Sequence, residues 1–219
     1  MLKKHEIGAI VQQFYFGESD GAKLVQALPA FAPGQHEKEF CKYWKQDEEK
    51  HDRLFHGILH EYALVPSGFN VLFEGLFGIA WQCVAEKDWV KCMTIAAVIE
   101  TIALEAGIYL HENGDEPVQK ILEEIIPDEK KHLAFSRTEL QKYVNLSDNR
   151  IKIKNVVKKV KILSCKLGKE KKFNNHDIHV ANMAQTAFLS DMEKLGIHYP
   201  NIKNKNGYWR NIFLEIIIN

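Results

Sequence analysis

Six prolines, four cysteines and a formal net charge of zero leave this 219-residue chain without the marks of several function classes. The cysteines Cys41, Cys83, Cys92 and Cys165 are scattered, with no Cys-x-x-Cys pair. That spacing argues against a zinc ribbon, a rubredoxin-type iron site and a disulfide framework. Scattered thiols are expected to stay reduced in a cytoplasmic protein. With 29 basic and 29 acidic residues, no overall field gathers nucleic acid or a membrane surface, and no nucleic-acid partner is expected. No transmembrane segment is expected either, because even the apolar stretch from Trp89 to Leu110 carries Lys91, Glu100 and Glu105. The start, Met1-Leu2-Lys3-Lys4-His5-Glu6, leads into an amphipathic pattern and not a secretory apolar run. No two alternating segments around a turn read as a hairpin.

What is present reads as helix. The prolines and a few glycines punctuate the chain into predicted helices over 2–28, 35–64, 69–85, 88–112, 117–145, 147–167 and 177–195. Pro29 and Pro33 close the first, which Gly8, Gly17 and Gly21 weaken. Asp88 is a natural N-cap, and Asn113-Gly114 a stop. Pro127 lies inside the fifth helix and is expected to kink it. Gly168 is expected to end the sixth. Hydrophobic residues make up 46% of the chain, enough for a sizeable core.

Within that pattern one signature occurs twice: Glu48-Glu49-Lys50-His51 and Glu129-Lys130-Lys131-His132. Residues i and i+3 share a helix face, so each Glu-x-x-His aims a carboxylate and an imidazole at one point. A further glutamate precedes each, Glu18 by 30 residues and Glu100 by 29. Two Glu-x-x-His pairs, joined by a Glu from each of two other helices, form the ligand set of a di-iron or di-manganese carboxylate bundle. The expected fold is therefore all-α and ferritin-like, a single domain over 1–219. Its four-helix core would lie within about 2–145, with accessory helices over 147–219.

The residue types suit that chemistry. Oxygen and imidazole donors favour iron or manganese over zinc or copper. Four carboxylates and two histidines balance two divalent ions, which makes burial of the set tolerable. A charge run is usually a water-facing surface, and both Glu-x-x-His copies sit in charged runs. Glu100 is different, since it stands alone between Thr94-Ile95-Ala96-Ala97-Val98-Ile99 and Thr101-Ile102-Ala103-Leu104, where a carboxylate needs a partner. Glu18, beside Asp20 and two glycines, resembles a loop or helix end.

Other residues have weaker claims. Glu105 lies about 140° around the helix from Glu100, facing a substrate, supporting a ligand or pairing with another helix. His111, about three turns from Glu100, is placed to face a cavity. His56 and His60 read as ordinary polar groups, and the His176/His179 pair as a helix start. Phe14, Phe16, Phe69, Leu72, Phe73, Phe77 and Trp81 are candidates to line a substrate pocket, although core packing explains them equally well. The basic helix over 150–172 suits anionic lipid, RNA phosphate, an acidic electron-donor protein or simply solvent.

The segments Gly17-Glu18, Glu48-Glu49-Lys50-His51 followed by Phe55, Ile99-Glu100-Thr101-Ile102-Ala103, and Asp128-Glu129-Lys130-Lys131-His132-Leu133-Ala134-Phe135 resemble the cyanobacterial aldehyde-deformylating oxygenases, or aldehyde decarbonylases. Ala187-Phe188-Leu189 and Lys194-Leu195-Gly196-Ile197 are similar too. The resemblance implies two iron ions, with manganese or a mixed Mn/Fe pair as variants, held by Glu18, Glu48, His51, Glu100, Glu129 and His132. It also implies O2, external electrons from a donor protein, and a small or fatty substrate in a hydrophobic tunnel. A ferroxidase or iron-storage protein on the same fold is the alternative, and a metal-free interaction module a third.

Overall fold

The computed structural model describes residues 2–169 and 175–197, and among them every regular element is a helix. These are α1 (Lys4–Ala27), α2 (Gln35–Glu61), α3 (Val71–Ala85), α4 (Trp89–Asn113), α5 (Glu116–Tyr143), α6 (Ser147–Lys169) and α7 (Asn175–Lys194). A short 3-10 turn, Leu28–Ala30, follows α1 and contains Pro29. The two long pairs, α1 with α2 and α4 with α5, face one another as the four-helix core. α3 packs on α1 and α4, while α6 and α7 pack on α4.

Several predicted boundaries move, for local reasons. α2 ends at Glu61, before the predicted Leu64, because Ala63 adopts a left-handed φ of 54° and the Leu64 N–H folds back to the Leu59 carbonyl at 2.9 Å. Leu64 then packs against Gly8 of α1, where a Cβ would overlap its Cδ1. α3 starts at Val71, capped by the Asn70 side chain, which accepts from the N–H groups of Leu72 and Phe73 at 3.0 Å. Asp88 caps α4 as expected, accepting from the Lys91 N–H at 3.2 Å. α6 runs through Gly168 to Lys169, so that glycine is not the stop. α7 closes at Gly196, whose φ of 70° suits glycine. The tail from His198, and the side chains of His176 and His179, lie outside the described residues.

The expectation that no stretch could span a membrane needs correction. By length and composition α4 is apolar enough, with a mean hydropathy of 1.6. More than half of that stretch is buried by the surrounding helices, so its apolar character serves the core.

The core is layered along the bundle. One apolar cluster gathers Ile7, Val11 and Phe14 with Phe55, Leu59, Leu110, Leu122 and Ile125. A larger one gathers Leu24, Trp44, Met93, Ile95, Val98, Leu133 and Leu140 with residues of α3, α6 and α7. Between them each long helix contributes acidic or imidazole side chains: Glu18, Glu48 with His51, Glu100, and Glu129 with His132. All six are buried, at 6% exposure or less.

Candidate metal centre

Sequence spacing brings the six side chains to one level, and packing brings them together. Glu18 lies in the middle of α1, not at a loop or helix end, and is 4% exposed. Glu48, Glu100, Glu129 and His132 present ligand atoms within 4.8 Å of one another, and so do Glu18, His51 and Glu129. Glu129 belongs to both groups. His51 Nδ1 lies 3.3 Å from Glu18 and 3.1 Å from Glu129, while His132 Nδ1 lies 3.5 Å from Glu48 and 3.8 Å from Glu100.

Each imidazole turns its other nitrogen outward to an aspartate on the opposite helix. His51 Nε2 faces Asp128 at 3.4 Å, and His132 Nε2 faces Asp47 at 3.2 Å. A proton held on Nε2 and donated to the aspartate leaves the Nδ1 lone pair free for a metal. Asp128 is itself fixed by Lys50 and Lys131, each at 2.7 Å. Burial opposes its charge, but these lysines and His51 hold its carboxyl well below the usual range. Sequence reading missed both aspartates. Their signal was present, since Asp47 and Asp128 each stand one residue before the glutamate of a Glu-x-x-His.

The electrostatics fit a site built for cations. Burial, then the charge of Glu129, raises the Glu18 carboxyl. Burial, then Glu18 and Glu100, pushes Glu48 well up. Burial, then Glu129, does the same to Glu100. Glu129 goes the other way: burial is outweighed by His51 and His132, which hold it low. For His51 burial is outweighed by Glu129 and Glu18, which raise the imidazole to about 11. Glu100 Oε2, Glu129 Oε1 and His132 Nδ1 are buried without a hydrogen-bond partner. Orphaned polar atoms converging on one point are costly unless something cationic sits among them. Four carboxylates and two imidazoles suit a pair of divalent first-row ions. Thiolate does not contribute, since burial pushes the thiols of Cys41 and Cys83 up to about 12 and 11.

A cavity of about 580 Å³ opens onto this cluster, reaching Glu18, Glu48, Glu100 and Glu129. Its wall is apolar, with Phe14, Leu72, Phe73, Phe77, Ile95 and Ile99 among the lining residues. Phe16 and Phe69 are not in that wall; Phe69 stacks on Phe77 with ring centroids 5.2 Å apart. Trp81, expected in the pocket, is 39% exposed and outside the lining, because it lies about 80° around α3 from Phe73. Glu105 is half-buried but also absent from the lining, so it does not face a substrate there. His111 lies near Glu123 at 3.8 Å, partly exposed and away from the cavity. The cavity includes polar residues that sequence reading did not single out, Gln12, Gln13 and Asn70. The Gln13 amide carbonyl accepts from the Asn70 N–H at 2.7 Å, tying the α2–α3 connection to α1.

Fold and cluster together define a ferritin-like helical bundle whose buried Glu/His set can bind metal. Comparison with known proteins narrows this. The sequence model of the long-chain fatty aldehyde decarbonylase family matches residues 7–212, and the chain belongs to that family. The enzyme class expected from the sequence, an oxidoreductase of the aldehyde-deformylating type, follows from that membership. Among solved structures, a Synechococcus protein described as having aldehyde deformylating oxidase activity is similar in fold. Its TM-score is 0.59 at 17% identity, over 85% of this chain and 78% of that one. No curated protein matches the chain by sequence.

Proposed function

We propose that Glu18, Glu48, His51, Glu100, Glu129 and His132 hold two iron ions, and that the substrate is a long-chain fatty aldehyde lying in the apolar cavity. Manganese, or one ion of each metal, is the other filling compatible with oxygen and imidazole donors. Bound there, such a pair supplies O2 activation and the oxidising power that cleaves the aldehyde carbon from the chain as formate, leaving an alkane or alkene. Reducing equivalents would come from an electron-donor protein. Free Cys41, Cys83 and Cys92 fit a reducing cytoplasmic setting.

The observation that carries this reading is the continuity of an apolar cavity with the carboxylate cluster: Phe73 and Phe77 line the same space as Glu18, Glu48, Glu100 and Glu129. Apolar walls hold an alkyl chain and exclude water from its length. The only strongly polar destination deep in that space is the cluster, so an aldehyde head group would orient toward it. An iron-storage subunit has no use for such a cavity.

The test is turnover. Iron-loaded protein given a long-chain aldehyde, O2 and a chemical or protein reductant should yield formate and a hydrocarbon one carbon shorter, measured by gas chromatography with mass detection. Protein carrying two iron ions per chain that forms neither product would overturn the substrate. A mineral core laid down during aerobic Fe(II) addition would favour iron storage.

A further inference from the structure

We propose that Trp44 and Gly21 are positioning residues for Glu48, together fixing the orientation of its carboxylate for the metal on the His132 side. The inference rests on the metal-centre reading above. Trp44 is 2% exposed, and its indole Nε1–H donates to Glu48 Oε1 at 2.7 Å. The same ring stacks on His132, with centroids 5.1 Å apart and planes 25° apart. One indole therefore touches two of the four residues in the Glu48, Glu100, Glu129 and His132 group.

The other oxygen of Glu48 is governed from a different helix. Oε2 points at α1 where Gly21 lies, one turn after Glu18. A Cβ there would overlap Oε2 and come within 3.2 Å of Glu48 Cδ. The bare backbone thus forms a notch that the carboxylate occupies. The terminal torsion of a glutamate is broad and soft, so a carboxylate left alone swings between orientations. Here a donor holds one oxygen and a recess accepts the other, leaving the group pre-oriented before any ion arrives. Neither residue offers a ligand atom of its own, since the indole nitrogen only donates and glycine has no side chain. Both act through Glu48.

A second buried pair in the same protein supplies the control. Trp89 Nε1 donates to Glu139 Oε2 at 3.0 Å, chemically the same contact, but Glu139 belongs to neither metal group. The experiment is an anaerobic Co(II) titration of metal-free full-length protein, followed by calorimetry and visible absorption. Wild type, Trp44→Phe, Gly21→Ala and Trp89→Phe are compared, with circular dichroism confirming that each is folded. Wild type and Trp89→Phe should bind two Co(II) per chain with the same affinities and bands. Trp44→Phe should retain both ions but weaken one at least tenfold and shift its absorption. Gly21→Ala should lose one of the two. Wild-type affinities and spectra in folded Trp44→Phe would overturn the proposal, even if Gly21→Ala fails to fold. A wild-type protein that binds no Co(II) would instead overturn the metal centre itself.

Discussion

The α1–α2 pair and the α4–α5 pair bring the same side chains, two glutamates and a histidine, to the centre in unlike settings. On α4, Glu100 is the acid of an apolar helix, flanked by buried Val98 and Thr101. On α1, Glu18 follows Gly17 and is succeeded by Asp20 and Gly21, in a helix that gives no apolar contrast. The supports differ as well. His51 of the first pair rests on Asp128, whose side chain is 10% exposed and held by two lysines. His132 of the second rests on Asp47, whose side chain is 32% exposed. Each aspartate belongs to the opposite pair, so neither half of the site is complete without the other. The ligands are nearly symmetric, while the groups that orient them are not.

The sharpest way to break this comparison is through the residue that both groups share. Glu129→Ala should lose both metal ions, whereas Glu18→Ala should lose one, as counted by anaerobic metal analysis of loaded protein. Loss of a single ion in both variants would show that Glu129 serves one group alone. The next effect tests the charge balance. Glu18, Glu48 and Glu100 have raised carboxyls, chiefly through burial, and His51 is raised by its carboxylate neighbours against the effect of burial. The metal-free site therefore keeps protons that an arriving ion must displace. Raising the pH removes that competition, so affinity should climb with pH, about tenfold per unit for each proton released. Titrations between weakly acidic and weakly basic buffer would check this, and a flat profile would refute it. The smallest effect separates the two supports. Asp128→Asn should weaken metal binding toward the upper end of the ~10–100-fold range typical of such partners, and Asp47→Asn toward the lower end, because the better-buried bond is less readily replaced by water. Equal losses would mean that exposure of the aspartate does not matter.

Much of this was legible from residues alone, for a physical reason. The i, i+3 geometry of a helix is local, so Glu48 with His51 and Glu129 with His132 had to share a face wherever the helices packed. Glu100 was legible because a lone carboxylate in an apolar helix demands a partner. Glu18 read as a loop because glycine and aspartate signal turns. In the fold its helix continues, and Gly21 makes room for Glu48. Trp81 was misjudged because α3 is apolar almost all round, so composition gave no direction and only packing settled which aromatics meet the cavity. The membrane test failed on α4 for a related reason, since a buried core helix and a spanning helix have the same composition.

The amino-acid order by itself determined an all-helical chain, the donor types of the centre and the pairing of each histidine with its neighbouring glutamate, because those follow from contacts within one turn. Only the tertiary structure decided that Glu129 faces both groups, that Asp47 and Asp128 cross between helix pairs, and that Trp44 and Gly21 grip opposite oxygens of Glu48. Those relations join residues dozens of positions apart. They depend on which helix lies against which and at what height, and local spacing contains no such information.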